Sequence, residues 1–299
     1  IKIVFTIMQY PIVNVTTSDG LLLHGLLAEP ENQTNTIVIH IHGTSGNFYW
    51  NSFYTSLTES ATTLGLACLA TNNRGSSIYE FEEGFVPHGA ALEHFEDCLL
   101  DIDAWIEFSL SKGYKKVILE SHSFGTGKAV YYASKGKYKN TIAAVILLGF
   151  DDAYGVQERY LKRTGKNLMP EAQKLMDEGK PYQLLSDLQA QADGALPVSA
   201  TTYVNFFSPG SELSKTMPFR NGTELPLFRE IRVPILAVIG DKENQEYTII
   251  PIRKAMALLK SENMLAEVFQ IKDSRHGFEG KEQELASVIA DFLKRRVLH

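Results

Sequence analysis

Short apolar runs alternate with longer amphipathic stretches along most of the chain. Apolar and polar positions alternate on both sides of the turn signal Ser18-Asp19-Gly20, which predicts an antiparallel hairpin near the start. Later segments contain buried strands or amphipathic helices. The strand-containing segments are 36–43, 66–77, 115–125, 141–150, 233–243 and 266–278, and the helical ones are 47–65, 91–113, 124–137 and 281–296. This alternation predicts an α/β protein with a mostly parallel central sheet and helices on both faces.

Residues 151–232 interrupt that alternation. They contain short amphipathic segments broken by prolines and no convincing strand, which indicates a helical insertion over one end of the sheet. The sequence therefore predicts a core domain made of 1–150 and 233–299, with 151–232 as a cap. The aromatic residues of the insertion suggest an enclosed pocket without a strong charge preference.

Composition narrows the possible partners and location. The 299-residue chain has a formal net charge of −6, which argues against nucleic acid as a partner. Cys68 and Cys98 lie in apolar or amphipathic segments, so we expect buried free thiols in a reducing compartment and a cytoplasmic location. The apolar residues 1–8 are too short to span a bilayer, and no other run is long enough. A removed signal peptide stays possible, and the oligomeric state is left open.

Several reactive side chains follow predicted strands. Ser123 stands in Ser-His-Ser-Phe-Gly after the strand of 115–125, Asp241 follows the strand of 233–243, and His276 follows the last strand. Because the carboxyl ends of parallel strands meet at one edge of a sheet, these residues are expected to converge. His276 would then be the base for a Ser123 nucleophile, and Asp241 would orient the imidazole. Taken alone, Ser123 could equally be a helix N-cap.

The loop His42-Gly43-Thr44 adds a candidate oxyanion hole. The amides of Thr44 and Phe124 would stabilise a developing oxyanion, the latter at a helix N-terminus. His42 is expected to order this loop, and His40 and His122 are expected to be structural. These three histidines lack a carboxylate partner at ligand-like spacing, so we expect no metal, and the mechanism needs no cofactor.

In this order, the hairpin, the HG loop, SHSFG, VIGDKE, RHGF and the final helix resemble the α/β-hydrolase superfamily. The resemblance covers most of the chain and implies the same fold, with 151–232 at the usual cap position between the sixth and seventh strands. Ser121 replaces the glycine that is common in the family's nucleophile turn. Asp151 and Asp152 follow the sixth strand, where some members place the triad acid, so they are alternatives to Asp241.

These features predict a serine hydrolase that cleaves a carboxylic ester of a small to medium acyl substrate through an acyl-enzyme. The same triad could instead cleave thioesters, amides or carbon–carbon bonds, or transfer acyl groups. A non-catalytic ligand-binding protein on the same fold is the alternative from another class.

Overall fold

The central sheet has eight strands in the computed structural model, which describes residues 11–81, 87–191, 194–243 and 245–298. The prediction for residues 1–8 lies outside the described residues. The strands are β1 Ile12–Thr16, β2 Leu22–Ala28, β3 Thr36–Ile41, β4 Ala67–Thr71, β5 Lys116–His122, β6 Ile142–Leu148, β7 Ile235–Gly240 and β8 Ala266–Ile271. Their spatial order is β1-β2-β4-β3-β5-β6-β7-β8.

All neighbouring strand pairs from β4 to β8 are parallel, whereas β2 pairs antiparallel with both β1 and β4. The predicted opening hairpin and the mostly parallel sheet are therefore confirmed. In a parallel arrangement, the loops that follow β3, β5, β7 and β8 leave the sheet at the same edge. This edge holds the side chains discussed below.

Helices cover both faces of the sheet. They are α1 Phe53–Thr63, α2 Cys98–Ser111, α3 Phe124–Lys135, α4 Ala153–Thr164, α5 Met169–Asp177, α6 Ala200–Phe207, α7 Glu212–Thr216, α8 Pro226–Arg229, α9 Ile252–Glu262 and α10 Glu282–Arg296. Helices α1 and α10 share one buried apolar cluster with one face of the sheet, while α2, α3 and α9 share the cluster on the other face. Strand β3 contributes to both: Ile37 and Ile39 belong to one cluster and Val38 to the other. This is why the strand reads as a continuous apolar run.

Two predicted helices begin later than their sequence patterns suggest. Helix α1 starts at Phe53, and the predicted helix 91–113 starts with a 3-10 turn at Phe95–Asp97 before α2. The carbonyl of Ala91 accepts hydrogen bonds from the amide of Ser199 at 2.9 Å and from the Thr202 hydroxyl at 3.1 Å. This segment therefore attaches the insertion to the core and does not extend the helix.

The described part of the insertion 151–232 contains helices α4 to α8, as its amphipathic segments predict. The prediction that it lacks strands is wrong, because Gln189–Gln191 and Gly194–Leu196 pair as a small antiparallel hairpin. Each strand has only three residues and no β-branched side chain, so no alternating pattern marks it in the sequence. A second small pair joins Glu80–Phe81 and Pro87–His88.

Two further observations concern the helices and the thiols. None of the helices in the described ranges combines the length and apolarity needed to span a membrane. Cys68 and Cys98 are both buried and free, as the sequence predicts.

Candidate active site

Ser123 occupies a sharp turn between β5 and α3. Its backbone has φ 54° and ψ −129°, in the region that residues with a Cβ rarely adopt. The turn requires glycine at position 125 and, on the adjacent HG loop, at position 43, because the backbone segments approach each other closely there. A Cβ on Gly125 would lie 2.5 Å from the carbonyl oxygen of Ile41, and one on Gly43 would lie 2.8 Å from the Ser123 Cβ. The strand-to-helix turn therefore projects Ser123 at the edge of the sheet.

Ser121 stands where the resembling family commonly has glycine. Its side chain is fully buried, and its hydroxyl donates to the carbonyl of Ile146 on the neighbouring strand at 3.1 Å. The extra hydroxyl is thus hydrogen-bonded to β6 and leaves the turn at Ser123 intact.

His276 reaches Ser123 from the loop after β8. The distance from His276 Nε2 to Ser123 Oγ is 2.8 Å, within hydrogen-bond range. Ser123 is at the N-cap position of α3, yet its side chain makes no capping hydrogen bond. The two residues are thus brought together as the sequence predicts, and the N-cap interpretation does not describe the Ser123 hydroxyl.

The carboxylate partner of His276 differs from the one expected. Glu243 Oε2 lies 2.9 Å from His276 Nδ1, and Glu243 Oε1 accepts the Gly240 amide at 3.0 Å. Asp241 instead accepts the backbone amide of Ser274 at 3.3 Å. The 3-10 turn Asp241–Glu243 directs the second acid of VIGDKE back toward the histidine. The prediction that Asp241 orients His276 is therefore wrong. Asp241 is the first residue of the turn, and its side chain supports the backbone of the His276 loop.

Asp151 and Asp152, the alternatives to Asp241, have other partners. Asp152 pairs with Arg220, with 2.7 Å between Asp152 Oδ1 and Arg220 Nη1. Asp151 accepts a long hydrogen bond of 3.4 Å from the Thr126 hydroxyl. Within the described ranges, the carboxylate that contacts His276 is therefore that of Glu243.

The HG loop lies beside Ser123 and is held by His42. The Nδ1 atom of His42 donates to the carbonyl of Gly43 at 2.7 Å, and its Nε2 accepts the amide of Asn73 at 2.9 Å. Burial lowers the pKa of His42 to about 3, so the ring is neutral. Thr44 and Phe124 line one cavity together with Ser123. Phe124 is the first residue of α3, so its amide has no partner within the helix.

Burial also sets the electrostatics around Ser123, His276 and Glu243. It raises the pKa of Glu243 to about 8, against the effect of the Gly240 amide, which favours the ionised form. The pKa of His122 lies well below its usual value, mainly because the ring is buried. His122 Nε2 donates to the carbonyl of His276 at 2.9 Å and so supports the His276 loop. His40 Nδ1 contacts Glu120 at 2.8 Å between β3 and β5.

Tyr247 is a site residue that no sequence pattern indicates. Its ring lies parallel to the His276 ring, with 3.5 Å between the centroids and an interplanar angle of 3°. The Tyr247 carbonyl accepts the amide of Asp152 at 2.9 Å, which fixes the backbone at this position. Gln245 and Ile249 have positive φ values of 59° and 64°, so sharp turns flank the tyrosine. Only the folded chain brings this loop over the imidazole.

The cavity at Ser123 is narrow. Its free volume is only about 30 Å³. Much of its wall comes from the insertion, and the apolar lining residues there are Ala153, Val156, Leu196, Phe206, Phe207 and Leu213. A wider groove that also borders Tyr247 and His276 has about 850 Å³ by the same measure. No group of three or more His, Cys, Asp or Glu side chains in the described segments could hold a metal ion.

Several solved structures have a similar overall architecture. Est1E from Butyrivibrio proteoclasticus, solved with ferulic acid, is 17 % identical with a TM-score of 0.65 and covers 95 % of this chain and 99 % of its own. The α/β hydrolase GrgF from a Penicillium species is 14 % identical with a TM-score of 0.69 and covers 96 % and 99 %. An esterase from Pyrococcus furiosus is 18 % identical with a TM-score of 0.59 and covers 96 % and 91 %.

No protein-family model and no curated protein matches the sequence. The likeness to solved structures, together with the strand order, shows that the chain has the α/β-hydrolase fold. The fold that the sequence motifs imply is thereby confirmed.

Proposed function

We propose that this protein is a serine hydrolase that cleaves carboxylic esters with Ser123, His276 and Glu243. The observation that carries the proposal is the continuous chain of contacts from Ser123 Oγ to His276 Nε2 at 2.8 Å and from His276 Nδ1 to Glu243 at 2.9 Å. A serine hydroxyl becomes a nucleophile only when a base within hydrogen-bond reach takes its proton. Two similar solved structures are named as esterases, which supports the same reaction class.

In the proposed reaction, Ser123 Oγ attacks the ester carbonyl carbon and its proton moves to His276 Nε2. The oxyanion is stabilised by the amides of Thr44 and Phe124. His276 then protonates the leaving alcohol oxygen as the carbon–oxygen bond breaks. Water attacks the acyl-enzyme, gives its proton to His276 and releases the acid, and Ser123 regains its proton. Ionised Glu243 accepts a hydrogen bond from the Nδ1–H group of His276 and so stabilises the imidazolium, while the proton stays on the ring.

We also propose that the insertion 151–232 acts as a cap that selects the acyl group. Its residues supply most of the apolar wall beside Ser123, and the small free volume of that cavity favours short, slender acyl chains. The two buried free thiols support a reducing, cytoplasmic setting for the enzyme.

A Ser123→Ala variant tests the reaction class. With short-chain p-nitrophenyl esters, we expect kcat/KM to fall by at least about 10³-fold, because the nucleophile is lost. The wild-type protein should also gain the mass of a fluorophosphonate probe at Ser123, whereas the variant should not. A folded wild-type protein that neither labels nor cleaves any ester would contradict the proposal and favour the non-catalytic binding alternative.

A further inference from the structure

Asp151 is a buried carboxyl in the wall of the cavity that contains Ser123. It follows Phe150 at the end of the segment that carries β6, and only 7 % of the residue is exposed. It lines the same cavity as Ser123 and Thr44. The proposed reaction gives Asp151 no role, although a polar group in such a place is costly to bury without partners.

The protein provides few partners for this carboxyl. The Thr126 hydroxyl lies at 3.4 Å, at the outer limit of a hydrogen bond. Arg220 pairs with the neighbouring Asp152 and not with Asp151. It binds Asp152 through its side chain at 2.7 Å and through its amide at 2.8 Å. Over the ranges that the structure describes, no Lys, Arg or His forms an ion pair with Asp151. A ligand bound in the cavity could therefore supply the hydrogen-bond partner that the Asp151 carboxyl lacks.

Glu93 is the other carboxyl in this wall, and its situation differs. Its Oε2 lies 2.6 Å from Lys128 Nζ, and both side chains are about 1 % exposed. This buried pair is satisfied within the protein. Asp151, unlike Glu93, is thus available to bind a polar group of the substrate.

The surroundings favour a neutral Asp151. Burial and the neighbouring Asp152, with a smaller effect of Glu243, raise the pKa of Asp151 to about 8. The Thr126 hydroxyl and the backbone amide of Asp151 act in the opposite direction. A protonated carboxyl has both a donor and an acceptor to offer. A hydroxyl or keto oxygen can meet it without bringing a second charge into an apolar pocket, where unpaired charge is expensive.

We propose that Asp151 binds an uncharged oxygen substituent, a hydroxyl or keto group, on a short acyl chain of the ester. This inference rests on the proposed ester hydrolysis and adds the substrate class to it. The narrow cavity beside Ser123 limits the chain to a few carbons, and its apolar wall accepts the hydrocarbon part. The polar atom would lie against Asp151 while the ester carbonyl lies at Ser123.

The test compares ethyl esters of one acyl length: butyrate, 2-hydroxybutyrate, 3-hydroxybutyrate, 3-oxobutyrate and 3-aminobutyrate. Release of the acid is followed by chromatography at pH 7. For the wild-type protein, we expect at least one hydroxy or oxo ester to exceed butyrate in kcat/KM by about tenfold, the equivalent of one good hydrogen bond. Asp151→Leu should bring that ratio close to one, and Asp151→Asn, which keeps a donor and an acceptor, should retain much of it.

Fluorophosphonate labelling of each variant shows whether Ser123 is still reactive, and Asp151→Ala replaces the leucine variant if the latter does not fold. A wild-type ratio near one, or a preference that survives in the leucine or alanine variant, would overturn the inference while leaving ester hydrolysis intact. A preference for the amino ester would overturn it in favour of an ionised Asp151 that binds ammonium. Absence of both labelling and ester cleavage in the wild type would instead remove the proposed function itself.

Discussion

Glu243 is held at two points at the end of a single 3-10 turn. One oxygen contacts His276 Nδ1 and the other accepts the amide of Gly240, so the carboxylate has a fixed orientation toward the ring. In its ionised form, this carboxyl group keeps the proton on Nδ1 and leaves Nε2 free to accept the proton of Ser123. At the scale of single residues, the proposed triad therefore depends on Glu243, two positions after Asp241, which the sequence favours.

Glu243→Gln and Asp241→Asn form a matched pair that separates the two acids. An amide at 243 can donate to Nδ1 and hold the ring in the wrong tautomer, so we expect kcat to fall by about 10³- to 10⁴-fold. Asparagine at 241 keeps an oxygen for the Ser274 amide, so kcat should stay within a few-fold of wild type. Steady-state kinetics with a short-chain ester measure both. The reverse ranking would assign the triad acid to Asp241.

Tyr247 stacks on His276 and should stabilise the imidazolium that forms in the proposed reaction. A desolvated cation–π contact is worth about 1–2 kcal/mol, so Tyr247→Leu should lower kcat about 5- to 30-fold. Loss of that contact lowers the pKa of His276, and the acid limb of the kcat/KM profile should move to lower pH. Tyr247→Phe keeps the ring and should behave like wild type. If the leucine variant loses kcat with no movement of the profile, the tyrosine has only a packing role.

At the scale of elements, the site depends on how closely α3 approaches β3. Helix α3 begins directly after Ser123, and Gly125 passes against the backbone of Ile41 and His42. A side chain there would push the helix away from the sheet. Because the Phe124 amide and the Ser123 turn belong to the same junction, a small displacement would affect the proposed nucleophile and the proposed oxyanion hole together.

Gly125→Ala is expected to be strongly destabilising, with Gly127→Ala as its control on the same helix. The new Cβ at 125 would lie 2.5 Å from the Ile41 carbonyl oxygen and 2.6 Å from that of His42, and neither backbone can yield easily. We expect a loss of about 2–4 kcal/mol and of nearly all activity. At 127, the nearest atom would be the Thr216 hydroxyl at 3.3 Å, so any change should be small. Thermal unfolding and ester hydrolysis distinguish the variants, and an equally stable Gly125→Ala protein would contradict this account.

At the scale of the whole molecule, the two-faced sheet supplies stability, while the edge with the insertion carries buried carboxyls that reduce it. Asp151 and Glu243 are both buried and both have raised pKa values. Folding must keep these groups protonated or desolvate their charges. The stability of the protein should therefore depend on pH through the same residues that shape the site.

Asp151→Asn should stabilise the protein increasingly as pH rises. Below about pH 4, Asp151 is protonated in both the folded and the unfolded protein, so its ionisation does not affect the free energy of unfolding. Between there and its folded pKa of about 8, the unfolded chain loses the proton while the folded state retains it, so wild-type stability falls relative to the variant. We expect the Tm difference between variant and wild type to grow by at least about 2 °C between pH 5 and pH 8.

Asp187→Asn is the control for this pH series. A hydrogen bond from Lys166 lowers the pKa of the exposed Asp187 carboxyl, so this carboxyl is ionised in both states from pH 5 to pH 8, and the Tm difference between Asp187→Asn and wild type should stay constant over that range. A Tm difference for Asp151→Asn that stays constant from pH 5 to pH 8 would mean that Asp151 is ionised in the folded protein.

The sequence by itself determined the order and type of most strands and helices, because apolar periodicity reports which faces are buried. It also predicted that Ser123 and His276 meet, since both residues directly follow strand ends and the sheet edge brings strand ends together. The tertiary structure alone decided the partner of His276, because one turn of 3-10 helix interchanges the directions of Asp241 and Glu243. It also decided the stacking of Tyr247 and the isolation of Asp151. Those features arise where distant loops meet, and no local pattern records such contacts.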